Sequence, residues 1–464
     1  MSSFAMTDLS PRPGFYTRLL IACCGGPFLD GYVMSIIGVA MTGVVKEFAP
    51  TTSEIGLIGA SALIGMFLGA SVFGYLTDRV GRKKMYALDL TVLVGACALS
   101  AFVEQPWQLI VLRFVMGAAV GADYPIATSL LTELSPTRKR GTMVGMAAVA
   151  WNAGAAAAYL VGGLVMGLFG GYDQWRWLLF SSAVLGAIVI LMRHGIPESP
   201  RWLLSNGRVA DAEKAAQKIY GTKFSLDGMR GTVPQPVEVD LRIFLHGTYL
   251  RRLIMCIALY IAVVAPMYAL LTFLPTILSG FGVAAEGVSG IVIETVVIGL
   301  LLIGSLPAVV LVEKWGRRPL TVIPLGLMVI PLAGLWLWAG GPLWFTVFAF
   351  CAYMFISGGP GILVWIYPNE LFPTEVRATA VGIAAAFSRL GSAAGTYLLP
   401  LSIASLGTGT TMLFGALLTG GAFLICCALA PETKGQSLEA TSAGSEDAKK
   451  GADREPLRFD SDLI

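Results

Sequence analysis

Gly74-Tyr-Leu-Thr-Asp78-Arg-Val-Gly81-Arg82-Lys83-Lys84 closes one long apolar run of this chain, and Val312-Glu313-Lys314-Trp315-Gly316-Arg317-Arg318 closes another in its second half. Both contain the pattern acidic-x-x-Gly-Arg-Arg/Lys. A turn shared at equivalent positions marks an internal repeat, so the apolar runs are counted in two sets. Six lie at about 16–42, 55–77, 85–103, 107–132, 141–167 and 176–193, and six at about 250–279, 287–312, 319–338, 342–368, 376–402 and 407–430. A transmembrane helix needs roughly 20 apolar residues. Paired halves of this kind build transporters with a binding site near the bilayer midplane.

Composition agrees. Of 464 residues, 56% are hydrophobic and 13% charged, the latter about half the share of a soluble domain. Twelve spans consume about 240 residues and leave the rest for loops, tails and tilt. This excludes a soluble enzyme, and no nucleophile/base set, metal cluster or phosphate loop stands out. The 55 glycines suit close helix contacts in lipid. All seven cysteines fall in apolar runs without metal or CxxC spacing and read as small core residues. A net charge of +3, dispersed among apolar runs, gives no nucleic-acid footprint. The first run is too long, and begins too far into the chain, for a cleavable signal peptide.

Lys and Arg set the expected orientation. With the amino terminus inside, the cytoplasmic loops hold Arg79, Arg82, Lys83 and Lys84, then Arg138, Lys139 and Arg140, then Lys314, Arg317 and Arg318, then Arg377. The opposite loops hold little beyond Lys46 and Arg176. The expected organisation is a cytoplasmic tail (1–15), a six-helix bundle (16–193), a cytoplasmic interdomain loop (194–249), a second six-helix bundle (250–430) and a cytoplasmic tail (431–464). The loop contains a helix-like Ala-Asp-Ala-Glu-Lys-Ala-Ala-Gln-Lys-Ile-Tyr-Gly segment. The last tail is polar, lacks periodicity and is expected to be disordered.

Several motifs, in this order and spacing, resemble the major facilitator superfamily, in particular its sugar-porter and organic-ion (synaptic-vesicle-protein-2-like) branches. They are Arg113-Phe-Val-Met-Gly117-Ala-Ala-Val-Gly121, Glu133-Leu-Ser-Pro136 leading to Arg140-Gly141, Pro197-Glu198-Ser199-Pro200-Arg201-Trp202, Gly359-Pro360-Gly361 to Trp365, Glu370-Leu-Phe-Pro373-Thr-Glu-Val-Arg377, and Pro431-Glu432-Thr433-Lys434-Gly435. The resemblance covers about 16–436. It implies an all-α membrane protein of 12 transmembrane helices in two pseudo-symmetric bundles that open alternately to either side. Asp78, Arg82, Arg140, Glu198, Arg201, Glu313, Arg317, Glu370 and Arg377 are then candidates for cytoplasmic ion pairs that bias a two-state equilibrium.

Charges at bilayer depth cost about 2.5–3.5 kcal/mol each on insertion scales, so each requires a reason. The candidates are Asp30, Arg113, Asp123, Glu294 and Arg389; Asp89 lies only four or five residues into the third run, within reach of the interface, and reads as structural. At 100° per residue, Arg113, Gly117, Gly121 and Tyr124 share a sector of roughly 80°. The Gly-x-x-x-Gly spacing lets a neighbour approach and would bring Asp30 towards Arg113. In proton-driven sugar porters an Asp of the first helix and this Arg form the coupling pair. Here the Asp stands at 30, whereas the family position is Val33, its i+3 neighbour. Asp123, in Gly121-Ala-Asp123-Tyr124-Pro125, resembles the Gly-Asp-Tyr-Pro of phosphate:proton symporters. No span holds a histidine, so carboxylates must carry any proton. Burial favours the protonated form and a nearby Arg the ionised one, so exchanging partners moves a proton.

The substrate reading turns on the fifth, seventh and eleventh spans. Val149-Ala-Trp151-Asn152-Ala-Gly154 and Leu259 to Tyr268 lack the glutamines that sugar porters present, which leaves a polyol's hydrogen bonds poorly served. Arg389 lies about 13 residues, roughly 20 Å, into its helix. An Arg there resembles anion-selective organic-ion carriers, and guanidinium binds carboxylate bidentately. Trp365 and Tyr367 extend a segment whose Trp lines the sugar-porter site. Trp151, Asn152, Tyr124, Tyr268, Tyr367 and Glu294 complete the candidate substrate-binding set.

The reading is a proton-coupled symporter of a small organic acid in the bacterial inner membrane. The expected partners are that substrate and lipid, in a monomer with no cofactor beyond the coupling proton. A sugar or polyol symporter, a proton-driven drug exporter and a non-transporting nutrient sensor share the fold and remain as alternatives.

Overall fold

The computed structural model describes residues 14–80, 82–134, 140–169, 174–193, 198, 200, 203, 208–220, 244, 247–282, 288–372 and 374–434. Thirteen α-helices occupy them. The first half holds α1 (Phe15–Phe48), α2 (Thr52–Val80), α3 (Arg82–Leu99), α4 (Pro106–Leu134), α5 (Arg140–Phe169) and α6 (Trp175–Arg193). After α7 (Val209–Tyr220) come α8 (Gly247–Gly280), α9 (Val288–Trp315), α10 (Arg317–Leu337), α11 (Leu343–Leu371), α12 (Thr374–Leu406) and α13 (Thr408–Leu429). The helix-like segment of the central loop is α7. The expected disordered tail lies outside the described residues.

Nine of these helices are long and apolar enough to cross a membrane by length and composition alone. The other three of the twelve spans, α3, α4 and α12, carry buried or half-buried charge: Asp89, Arg113 with Asp123, and Arg389. Side chains such as Leu168, Leu191, Ile330 and Leu424 stay exposed on the outside of the bundle, which is the arrangement lipid requires rather than water. The chain is therefore a twelve-span, all-α membrane protein.

Glycine sets the tightest helix contacts. On α4, Gly117 and Gly121 lie against the backbone of Ala62 and Met66, while Gly65 and Gly69 of α2 lie against that of Phe114 and Ala118. The Gly-x-x-x-Gly face therefore receives α2 and not α1, contrary to the sequence expectation. The spacing specifies close approach and leaves the partner open. In the second half Gly304 of α9 and Gly358 of α11 meet in the same way.

The halves join along four helix pairs, α1 with α8, α2 with α12, and α5 with both α9 and α11. At the end of the molecule where α1 terminates, this seam is shut. Pro275 has no N–H to give to Leu271, one helical turn earlier, and α8 bends at Phe273 (φ −124°, ψ 18°). The Leu271 carbonyl instead accepts the Tyr159 hydroxyl from α5 at 2.8 Å. Nearby, Ser53 of α2 and Tyr397 of α12 are hydrogen-bonded at 3.1 Å. At the opposite end Ile219 of α7 packs with Leu19 and Cys23 of α1 and Met143 and Ala147 of α5, and Trp365 leans on this group from the other half.

Candidate functional site

Between the halves lies a chamber with about 70 Å³ of free interior space, a narrowed cavity that must widen to take a small organic molecule. Helix α5 contributes Trp151 and Asn152, α8 contributes Tyr260 and Tyr268, α11 contributes Ser357 and Trp365, and α12 contributes Ser388 and Arg389. Five of the candidate substrate residues thus meet in one space: Trp151, Asn152, Tyr268, Trp365 and Arg389. Sequence reading missed Tyr260, Ser357 and Ser388, which carry no motif and are recognised only once the helices are aligned.

Arg389 stands fifteen residues into α12, about 22 Å from its start. Its Nη1 donates to the Tyr268 hydroxyl at 3.0 Å, and its guanidinium lies 5.5 Å from that ring's centroid. Among the described residues no carboxylate pairs with it. Trp151 meets Tyr268 edge to face across the seam, centroids 5.8 Å apart, a favourable aromatic geometry. The chamber therefore offers a charged fork and aromatic walls.

Asp30 is 5% exposed and makes no hydrogen bond with a described residue. It stands within electrostatic range of Asp123, Arg193 and Asp89 on its own half and of Arg389 on the other. The expected Asp30–Arg113 pair is absent. Arg113 points between α4 and α2 and donates its Nε to the Ile58 carbonyl at 2.7 Å, because the glycine face that carries it belongs to α2.

Asp123 has a different partner, one the sequence reading did not single out. Arg193, the last residue of α6, grips it with Nη1 to Oδ1 at 2.9 Å and Nη2 to Oδ2 at 3.2 Å, both side chains buried. A Cβ on Gly26 of α1 would overlap both groups, so glycine is what admits the pair. Asp89 is 3% exposed and joins this cluster.

Two other candidates lie away from the chamber. Glu294 of α9 is buried seven residues, about 10 Å, towards the shut end from Leu301, which lines the chamber; neither an ion pair nor a hydrogen bond to a described residue holds it. Tyr367 is fully buried and its hydroxyl donates to the Pro431 carbonyl. The side chain of Tyr124 lies outside the described residues.

Of the gate candidates, Glu313, Arg317 and Glu370 come together within the second half. Arg317 Nη2 lies 2.8 Å from Glu370 and 3.2 Å from Glu313, and the Thr433 hydroxyl donates to Glu370 at 2.6 Å. Glu432 caps α10, accepting the backbone N–H groups of Arg317, Arg318, Thr433 and Lys434 at 2.8–3.1 Å. Gly316, with φ +97°, leaves room for this carboxylate. Burial favours its neutral form, but the four donors outweigh that and hold the Glu432 carboxyl below the ordinary glutamate range. Glu198 is half-buried. Arg201 and the side chains of Asp78, Arg82, Arg140 and Arg377 lie outside the described residues.

Two six-helix halves around a mainly apolar chamber that carries a few polar groups and is shut at one end define a membrane transporter. The chain belongs to the family described as Sugar (and other) transporter, whose model matches residues 19–444, within the major facilitator superfamily. It is 40% identical over 430 residues to YaaU of Escherichia coli (strain K12), a protein named for metabolite transport, covering 92% of this chain and 94% of the relative. It is 28% identical to the Niacin transporter NiaP of Acinetobacter baylyi (91% and 95% covered) and 28% identical to the Arabinose-proton symporter of Bacillus subtilis (91% and 93% covered). In fold it is similar to a partially occluded, inward-open xylose transporter XylE from E. coli, with TM-score 0.76 at 21% identity over 91% of this chain and 100% of that one.

Proposed function

We propose that this transporter carries a small aromatic or short-chain monocarboxylate together with a proton, across a bacterial inner membrane with both termini cytoplasmic. The observation that carries the reading is Arg389, a guanidinium inside the chamber with no carboxylate partner among the described residues. Guanidinium presents a planar fork of donors that matches a carboxylate. Trp151, Tyr268 and Trp365 supply faces and edges for a flat ring. A relative named for niacin, an aromatic carboxylate, makes such a cargo chemically reasonable for the family.

Coupling follows from competition for one cation. With the chamber empty, an ionised Asp30 would draw on Arg389 across the seam as countercharge, a weaker influence than Arg193, which is already paired with Asp123. A substrate carboxylate on Arg389 takes that countercharge away, and Asp30 is then balanced only by binding a proton. The loaded chamber has no added net charge, so the halves can tilt. Substrate release returns Arg389 to Asp30 and frees the proton. One proton moves with one monoanion, electroneutrally, and the protein acts as a monomer without a cofactor.

A sugar or polyol is the second reading, favoured by Asn152, Ser357 and Ser388 in the chamber and by the relative named for arabinose–proton symport. Thermal-shift titration of the purified protein with benzoate, nicotinate, short carboxylates, pentoses and hexoses separates the two. Stabilisation by carboxylates, lost in Arg389→Gln, supports the first; stabilisation by sugars alone overturns it.

A further inference from the structure

A buried acid pair lies one turn from Asp30, on the side where the chain enters the bundle. Asp89 of α3 and Asp123 of α4 are 3% and 2% exposed. Asp89 lies within electrostatic range of Asp123 and Arg193, so that two ionised acids would share one guanidinium. Asp89 Oδ1 accepts the Leu90 N–H at 2.6 Å, whereas its buried Oδ2 faces no donor. Both oxygens of Asp123 are taken by Arg193, whose Nε also reaches the Ala22 carbonyl at 3.3 Å. With one proton between the two acids, their single negative charge matches Arg193. Among the described residues, the other titratable groups near this cluster are Asp30 and Cys23 of α1, with Cys24 beside Cys23.

We infer that Asp89 and Asp123 form a second proton-binding site, a release station between Asp30 and the cytoplasmic water, with Arg193 as its positioning residue. The inference rests on the proton-coupled reading above. Gly26, which faces the pair, precedes Asp30 by four residues, about 6 Å along α1, so the station lies inward of Asp30. The shared proton leaves to inner water and two carboxylates remain on one guanidinium. The O–H bond of Asp30 then breaks and an O–H bond forms on the pair, leaving Asp30 as the carboxylate that Arg389 balances. One proton enters and one leaves in each cycle.

Asp89→Asn keeps the shape but cannot release a proton. The test uses reconstituted full-length protein with nicotinate as probe, or the carboxylate that proves the best stabiliser. Expected is substrate exchange within about twofold of the parent, with accumulation driven by a pH gradient reduced at least tenfold. Accumulation equal to the parent's overturns the station. Asp30→Asn, run in parallel, tests the underlying reading. If Asp30→Asn accumulates normally, the coupling proposal falls; if it fails while Asp89→Asn accumulates, only the station falls. Should Asp89→Asn lose exchange as well, infrared pH titration of the Asp30→Asn/Glu294→Gln protein decides. A buried carboxylic-acid band that titrates supports the pair, and its absence overturns it.

Discussion

Arg193 and Asp123 form a two-pronged ion pair at 2.9 and 3.2 Å in the interior of the first bundle, closed over by the backbone of Gly26. Removing one partner of a buried pair leaves the other charge stranded, at a cost of about 3–5 kcal/mol. Arg193→Ala is expected to lower the thermal midpoint of the purified protein sharply. Gly26→Ala, which forces a methyl group into the same space, is expected to cost about 1–3 kcal/mol without altering any charge. Unchanged midpoints in both would show that the pair does not hold α1, α4 and α6 together.

Arg389→Lys keeps the positive charge but loses the planar fork. Carboxylate affinity is expected to fall at least tenfold, about 1.4 kcal/mol, while binding of neutral solutes changes by less than twofold. Calorimetric titration with nicotinate and nicotinamide makes the comparison directly. Equal losses for both would remove the case for anions.

The Tyr159 hydroxyl donates to a carbonyl that Pro275 leaves unused, and it does so across the seam between the halves. A hydrogen bond of this kind is worth about 1 kcal/mol net. Tyr159→Phe should therefore shift the population towards opening at that end by about fivefold. Spin–spin distances between labels on α2 and α12 near Ser53 and Tyr397 report the shift, and an unchanged distance distribution would contradict the latch.

Glu432 is held ionised by four backbone donors at the start of α10. A carboxyl depressed in the folded state contributes stability that is fully present above its unfolded pKa, about 4.3. That contribution is lost as pH falls through the lower folded value. The parent's thermal midpoint should therefore drop more steeply than that of Glu432→Gln below about pH 4.3. Parallel curves would remove the cap from the account.

How far the sequence carries can be seen residue by residue. The twelve runs and the repeat at Gly81 and Gly316 follow from apolar length and motif order, whereas Trp365 rests on the family resemblance, Arg389 on that resemblance and its depth, and Trp151, Asn152 and Tyr268 on no more than their place in the fifth and seventh spans. Arg193 escapes because an arginine at the end of an apolar run is indistinguishable from a positive-inside anchor. Asp89 escapes for a related reason: distance from a helix end measures depth along the axis, not burial among neighbours. Arg113 and Gly117 announce a close contact but not its partner, and α2 rather than α1 fills that face. Glu294 is as deep as expected along α9, yet depth alone does not say which level of the chamber a residue reaches.

The central claim is that a substrate anion and Asp30 compete for Arg389, so that each anion enters with one proton. In proteoliposomes holding a pH-sensitive dye, an inward gradient of nicotinate, or of the best-stabilising carboxylate, should acidify the lumen in step with uptake, without electrical current. Asp30→Asn should abolish the acidification while exchange persists. Substrate uptake with a steady luminal pH, or acidification undiminished in Asp30→Asn, would contradict the account.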